Sequence, residues 1–277
     1  VYRQIGKKIL DKKDIESYRK AGKIYVSNFG KIVQTLFSLK DLIMLFFIEN
    51  KKYEKEILRT MSSKRIFHDP IHKEIIFKPE KPEELMIMEL IDTPAFQRLR
   101  RIKQLGAASL LFHGAEASRF THSIGVFCIA RKIYQKLIKR NSSFCDSKFT
   151  LYGAALLHDL GHGPLSHTSE TIFAHNHEYW SEHLVRNYSP INSVLKKYDN
   201  DLPKQIGELL NSKQIFSNPL KTLISSEVDC DRLDYLLRDS YNTGTKYGLV
   251  DLERIISALT FSPDGNIAIK PKGVIAI

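Results

Sequence analysis

Leu151–Glu170, LYGAALLHDLGHGPLSHTSE, is the stretch around which the rest of the chain is organised. Within ten residues it places His158, Asp159, His162 and His167, all groups able to bind a metal or move a proton. The run up to Leu157 is apolar and rich in strong helix formers, which sets His158 and Asp159 at the C-terminal end of a buried helix. Gly161, Gly163 and Pro164 then break the chain and would let it approach a ligand closely. Ser166–Glu170 reads as the start of a further helix. His167 and Glu170, three apart, share a face there, and a carboxylate beside an imidazole orients it and raises its basicity. Histidines at helix ends often do no more than satisfy carbonyls, but four such groups in one glycine-punctuated turn favour a site.

Two more words complete the pattern. Upstream stands Ser118–Val126, SRFTHSIGV, and downstream Asp229–Tyr235, DCDRLDY. The order H…HD…D resembles the HD phosphohydrolase superfamily. The words FHDPIH, FQRLRRIKQLG, RFTHSIGV, LLHDLGHGPLSH and DCDRLDYLLRDS resemble its deoxynucleoside triphosphate triphosphohydrolase branch, in the expected order, from about residue 66 to 277.

A chain of 277 residues with 43% hydrophobic content can bury a substantial core. The N-terminus shows no secretory pattern, and the most apolar run, Leu42–Ile48, is far too short to span a bilayer. Cys128, Cys145 and Cys230 are scattered without CxxC spacing, so neither a zinc site nor a disulfide framework is indicated. A reducing, cytoplasmic setting is expected, with no membrane partner. The net charge of +11 suggests a polyanion footprint until it is located. Residues 1–60 hold 14 basic against 7 acidic residues, while residues 61–277 are nearly balanced. Generic polyanion binding therefore explains the main domain poorly.

Two units are expected: a helical N-terminal extension over residues 1–60, and the HD phosphohydrolase domain over 61–277. The extension, with Tyr2-Arg3-Gln4-Ile5 followed by Val26-Ser27 and Lys31, resembles the C-terminal tail of squalene/phytoene synthase-like proteins. The acidic prenyl-diphosphate motifs of that family are absent, so no such activity is implied; a fused or read-through remnant and an unrelated extension both fit. Ile66–Phe77 reads as a short hairpin turning at Asp69-Pro70. Pro82 opens a helix to about Ile91, and Thr93-Pro94 restarts it with an N-cap and a proline. Phe96, Leu99 and Ile102 face a core, leaving Arg98, Arg100 and Arg101 toward solvent or a ligand. His122 begins an amphipathic helix with Ile124, Phe127, Ala130, Tyr134 and Leu137 inward. Helices are also expected over 202–210, 220–225, 228–240 and 251–259, then a turn at 261–265 into a strand with Ile267 and Ile269. The fold class is mainly α, a helical bundle with small β-hairpins at its edges. On the helix after Val228, Asp231, Tyr235 and Asp239 lie at i, i+4 and i+8 on one face, beside Arg232. Such a face is commonly a salt-bridged exterior, and it also suits a sugar-phosphate ligand.

The resemblance implies a metal set of His122, His158, Asp159 and Asp231. Two imidazoles and two carboxylates suit one iron, manganese, zinc or nickel ion, with a second, hard ion such as magnesium on the substrate phosphates. It further implies hydrolysis of a deoxynucleoside triphosphate to deoxynucleoside and triphosphate. His167, oriented by Glu170, would protonate the leaving 5′-oxygen; the family usually has aspartate where Glu170 stands. His162 and His177 would contact phosphates and exchange protons, Arg119 and Arg232 would bind phosphate oxygens, and Gln104, Tyr235 and Asp239 would surround the sugar. Asp92, Gln97 and Arg100 match positions that hold a guanine nucleotide effector between subunits, so a homo-oligomer is expected. His175 and His183 fall outside these words and read as surface or core histidines. Relatives continue past the position of Ile277, which implies a C-terminal lobe cut short, with KPKGVIAI ending in mid-strand. Two other readings compete: an HD phosphodiesterase or phosphatase on another nucleotide or a single strand, and an inactive nucleotide-sensing or nucleic-acid-binding module.

Overall fold

A computed structural model describes residues 64–172, 175–211 and 219–274. The expected extension over 1–60, its synthase-like resemblance and the boundary at 61 lie outside these residues. Strands β1 (Arg65–Asp69) and β2 (Lys73–Phe77) form the expected antiparallel hairpin, with Arg65 opposite Phe77 and Asp69 opposite Lys73. Asp69 closes its turn by accepting the backbone N–H groups of Ile71 and His72 at 2.9 and 3.0 Å.

Helix α1 (Pro82–Ile91) and the short α2 (Pro94–Gln97) follow, the latter capped by Thr93 as its sequence requires. Arg98–Arg101 then tightens into a 3₁₀ turn. Phe96, Leu99 and Ile102 are buried as expected. Arg98 is not turned to solvent: its guanidinium donates to the carbonyls of Leu160 and His162. Those carbonyls belong to the broken turn after Asp159, beyond the regular ladder of α4, and an arginine fork supplies their donors.

The centre of the molecule is α3 (Arg119–Leu137). It starts three residues before His122, because the Ser118 hydroxyl accepts the Thr121 N–H and caps it. It is also less amphipathic than expected, with Phe120, His122, Ser123, Val126 and Cys128 buried alongside the inward set. Helices on more than one side account for this: α3 packs on α4 (Lys148–Leu157) and on a long helix near the C-terminus, while Phe127 stacks on Phe77 of the hairpin at 5.3 Å. Around α4 lie α5 (His177–Asn187), α6 (Ser189–Lys196), α7 (Leu202–Leu210) and α8 (Pro219–Ile224). The long helix is α9 (Cys230–Thr243), begun by Asp229 as N-cap and ended by Gly244 at φ 75°. A left-handed C-cap of that kind is what glycine supplies without a Cβ penalty.

Helix α10 (Leu252–Ala258) leads into the second hairpin, β3 (Leu259–Phe261) with β4 (Ile267–Ile269), turning at Gly265 as expected. The chain does not continue as strand. Pro271–Val274 forms a helical turn, α11, since proline at a first helical position removes a ladder donor and fixes φ. The architecture is mainly helical with small two-stranded edges. Among the described residues no helix is long and apolar enough to cross a membrane.

Candidate metal centre and active site

Three elements bring the metal set together. His122 comes from the first turns of α3, His158 and Asp159 from the end of α4, and Asp231 from the first turn of α9. The two imidazole Nε2 atoms are 3.3 Å apart, and Asp231 Oδ1 lies 2.9 Å from His122 Nε2 and 3.7 Å from His158 Nε2. Asp159 closes the set, Oδ1 at 3.4 Å from His158 Nε2 and Oδ2 at 3.7 Å from His122 Nε2.

The far ring nitrogens explain why Nε2 faces inward. His158 Nδ1–H donates to the Ala155 carbonyl at 2.9 Å, and His122 Nδ1–H donates to Asp234 Oδ2 at 2.7 Å. Both Nε2 atoms are thereby directed at one point together with Asp231, and Asp159 lies beside them. Burial opposes a charge on His122, but Asp231 and Asp234 outweigh it and raise its pKa to about 10. Burial likewise disfavours the charge on Asp159, yet Arg119, His158 and His162 hold its carboxyl well below the usual range. The site is built around a positive charge. Two bonds of about 2.1 Å at tetrahedral or octahedral angles put their nitrogens roughly 3.0–3.4 Å apart, so the pair at 3.3 Å fits one divalent ion.

The surrounding loop is held by the protein itself. Ser181 of α5 donates its hydroxyl to the His158 carbonyl at 2.6 Å and accepts Gly161 N–H at 2.8 Å. Gly161 was expected to admit a ligand; what it admits is α5, since a Cβ there would strike the His177 carbonyl and Ser181 N. Leu165 and Ser166 both adopt left-handed backbone, φ 68° and 53°, so that Ser166 can turn inward. Its hydroxyl donates to the Lys103 carbonyl and accepts from Arg119 Nε, each at 3.0 Å. Arg119 meanwhile binds Asp159 Oδ2 through Nη1 at 2.5 Å. The structure thus engages this expected phosphate ligand with an expected metal ligand.

Beside the metal set sits a second group, His162, His167, Glu170 and His177. The expected helix start at Ser166 is instead a 3₁₀ turn over Ser166–Thr171, and His167 and Glu170 still meet, Nδ1 to Oε1 at 3.1 Å. The same Oε1 accepts His177 Nδ1 at 2.6 Å, so the glutamate serves two imidazoles. Burial favours its neutral form, but His177 and then His167 hold its pKa below the usual carboxylate range. His177 stacks on His162 at 3.9 Å. His162 is buried, with no hydrogen-bond partner at either ring nitrogen, and burial pushes it down to about 4 against the pull of Asp159. Its Nε2 nevertheless lies 3.3 Å from Asp159 Oδ1, which leaves Nδ1 as the nitrogen without a neighbouring acceptor or donor among the described residues.

The remaining expected residues are dispersed around this centre. Gln104 lies behind Arg119, its side-chain oxygen buried without a partner and its carbonyl 3.4 Å from Arg119 Nη2. Tyr235 is half-buried on α9, Asp239 is buried two turns beyond Asp231, and Arg232 pairs with Glu227 at 3.2 Å. Of the effector set, Arg100 donates to Gln97 at 2.8 Å and lies over the Phe120 ring, whereas Asp92 is engaged by Arg65 through two bonds of 2.9 and 2.8 Å. His175 is exposed and stacks on Tyr179, and Asn187 Nδ2 lies 3.3 Å from His183 Nδ1. Asp234, Arg238, Asp69 and His72 carried no role in the sequence reading. The available signal was the i, i+4 acid–base spacing of Asp234 and Arg238 on the helix that holds Asp231.

Residues 119–239 match the HD domain family. The chain is 41% identical over 218 residues to YwfO of Bacillus subtilis, an uncharacterised protein, covering 78% of this chain and 49% of that one. It is 31% identical over 252 residues to the deoxynucleoside triphosphate triphosphohydrolase SAMHD1 of Mus musculus, covering 76% and 37%. A crystal structure of a phosphohydrolase from Bacteroides thetaiotaomicron superposes with a TM-score of 0.63 at 31% identity, over 76% of this chain and 50% of that one. The chain spans about half the length, or less, of the curated relatives it matches. The match begins at Arg119, the start of α3, and ends at Asp239 in α9, so it encloses all four expected metal ligands. Over residues 119–239, the span that runs from the start of α3 into α9, this chain is similar to the HD domain family.

Proposed function

We propose that the protein is a metal-dependent phosphohydrolase that cleaves deoxynucleoside triphosphates to deoxynucleoside and inorganic triphosphate. The observation that carries the metal dependence is the convergence of two tautomer-fixed imidazoles and Asp231 on one point, with Asp159 beside them. The triphosphate substrate is supported by the named activity of the SAMHD1 relatives.

His122, His158, Asp159 and Asp231 would hold an iron, manganese, zinc or nickel ion, which supplies Lewis-acid polarisation and a more acidic water. A magnesium ion would accompany the substrate phosphates. The attacking oxygen bonds to the α-phosphorus and the bond to the 5′-oxygen breaks. His167, turned by Glu170, gives that oxygen its proton. His162 and His177 flank the phosphates; His162, whose Nε2 faces Asp159, has its Nδ1 free to accept or donate there. Arg232 adds positive charge at the phosphate tail, and Arg119 acts chiefly through Asp159. Gln104, Tyr235 and Asp239 border the sugar. Asp92, Gln97 and Arg100 would take a guanine nucleotide between copies of the chain in a homo-oligomer, in a cytoplasmic setting.

Product analysis tests the reading. Each deoxynucleoside triphosphate is incubated with the protein and Mn²⁺, and phosphate products are separated by ion chromatography. Inorganic triphosphate with free deoxynucleoside is the expected outcome. Orthophosphate, or pyrophosphate with monophosphate, would assign a different phosphohydrolase reaction.

A further inference from the structure

Asp234 is the most fully engaged carboxylate of the HD domain. Oδ2 accepts His122 Nδ1–H at 2.7 Å and Arg238 Nε at 2.8 Å; Oδ1 accepts Arg238 Nη2 at 2.9 Å and His72 Nε2–H at 2.6 Å. Four donors fill the four lone-pair positions a carboxylate offers. Its side chain and those of His72, His122 and Arg238 are at most 1% exposed. The second face of Arg238 is taken by Asp69 at 2.9 Å, and Asp69 accepts the backbone N–H of His72 at 3.0 Å. The ring is closed: Asp69, His72, Asp234 and Arg238 brace one another, and Asp234 carries the bond to His122.

Helix α3 is shaped to receive this cluster. Gly125 lies where any Cβ would overlap Asp234 Oδ1 and the Arg238 guanidinium. The glycine of the RFTHSIGV word therefore lets a carboxylate lie against the helix that carries His122. His72 and Asp69 belong to the β1–β2 turn, outside the span that matches the HD family.

We infer that His72 is a positioning residue for the metal ligand His122, acting through Asp234. The hairpin turn is thereby part of the metal centre. Orientation of a ligating histidine by a carboxylate fixes its tautomer and raises its basicity, and loss of such an outer partner typically costs roughly ten- to a hundredfold in metal affinity. Without the His72 donor, Oδ1 keeps one buried position unfilled, and the carboxylate is held against His122 by Arg238 alone among its other donors.

The inference rests on the reading of His122 as a ligand, and one experiment separates the two. The full chain is stripped with a chelator and its affinity for Mn²⁺ measured by competition with a metal-sensitive dye, alongside the thermal midpoint of the stripped protein. His72→Phe should bind Mn²⁺ about ten- to a hundredfold more weakly. His72→Gln, whose amide can donate to Asp234, should restore affinity to within about threefold. Co²⁺ absorption should change shape in the first and not in the second. Wild-type affinity in folded His72→Phe would overturn the inference alone. If that variant fails to fold, a His72→Gln protein weakened tenfold or more would overturn it as well. A wild-type chain that binds neither ion would remove the metal-centre reading along with it.

Discussion

Asp159 is placed between the Arg119 guanidinium and the imidazoles of His158 and His162. Oδ2 meets Arg119 at 2.5 Å while Oδ1 points to His158 and His162, at 3.4 and 3.3 Å. A carboxylate buried so completely would be costly without those partners. Asp159→Ala and His158→Ala should each abolish metal retention along with activity, as read by elemental analysis of purified protein. Stoichiometric metal in either variant would rule out the ligand assignment. His167 is exposed at the rim, bonded to Glu170 and edge-on to the His162 and His177 rings. His167→Ala should keep its metal and bind a non-hydrolysable nucleotide, yet lose roughly two to four orders of magnitude in turnover. Glu170→Gln should lose less, because an amide oxygen still accepts one imidazole. A nitrophenyl ester of deoxythymidine monophosphate, whose leaving group needs little protonation, should partly rescue His167→Ala. Equal damage on both substrates would move the acid role to His177, which holds the shorter bond to Glu170.

At the scale of elements, the sequence was legible wherever one local rule decided the outcome. Asp69-Pro70 marks the turn, Thr93-Pro94 the cap, Gly265 the second hairpin, and the apolar run before His158 the end of α4; each is found as expected. Legibility failed where a distant partner decides. Ser118 caps α3 before His122, helices on more than one side bury it, and Arg98 turns inward because two carbonyls after Asp159 lack donors. The four proposed ligands come from short words of the sequence, whereas the bond from His72 to Asp234 joins residues 162 apart along the chain. The hairpin is also joined to α3 by aromatic packing. Phe127 stacks on Phe77 and meets Tyr152 edge-on, both at 5.3 Å, and is fully buried. Phe127→Ala should cost about 3–5 kcal/mol in urea unfolding, from lost transfer energy and the cavity left behind. A loss below about 1 kcal/mol would mean that hairpin and helix do not share a core.

For the whole molecule, the charge is informative mainly by its location. The basic excess sits in residues 1–60, and the HD domain places its positive groups singly, against carboxylates and carbonyls. That pattern suits a small anionic substrate better than a polymer. The proposed effector set belongs to this scale too, because Arg65 holds Asp92 on an exposed edge that a second copy could reach. Guanosine triphosphate should raise the mass seen by light scattering and raise turnover with it; an active protein with unchanged mass and rate would remove the effector reading. The central claim is the bond that breaks. Turnover of a deoxynucleoside triphosphate in ¹⁸O-water, followed by ³¹P NMR and mass spectrometry, reads it directly. The account predicts inorganic triphosphate labelled at one terminal phosphorus, with an unlabelled deoxynucleoside. Label in the deoxynucleoside hydroxyl, or pyrophosphate appearing with a monophosphate, would contradict it.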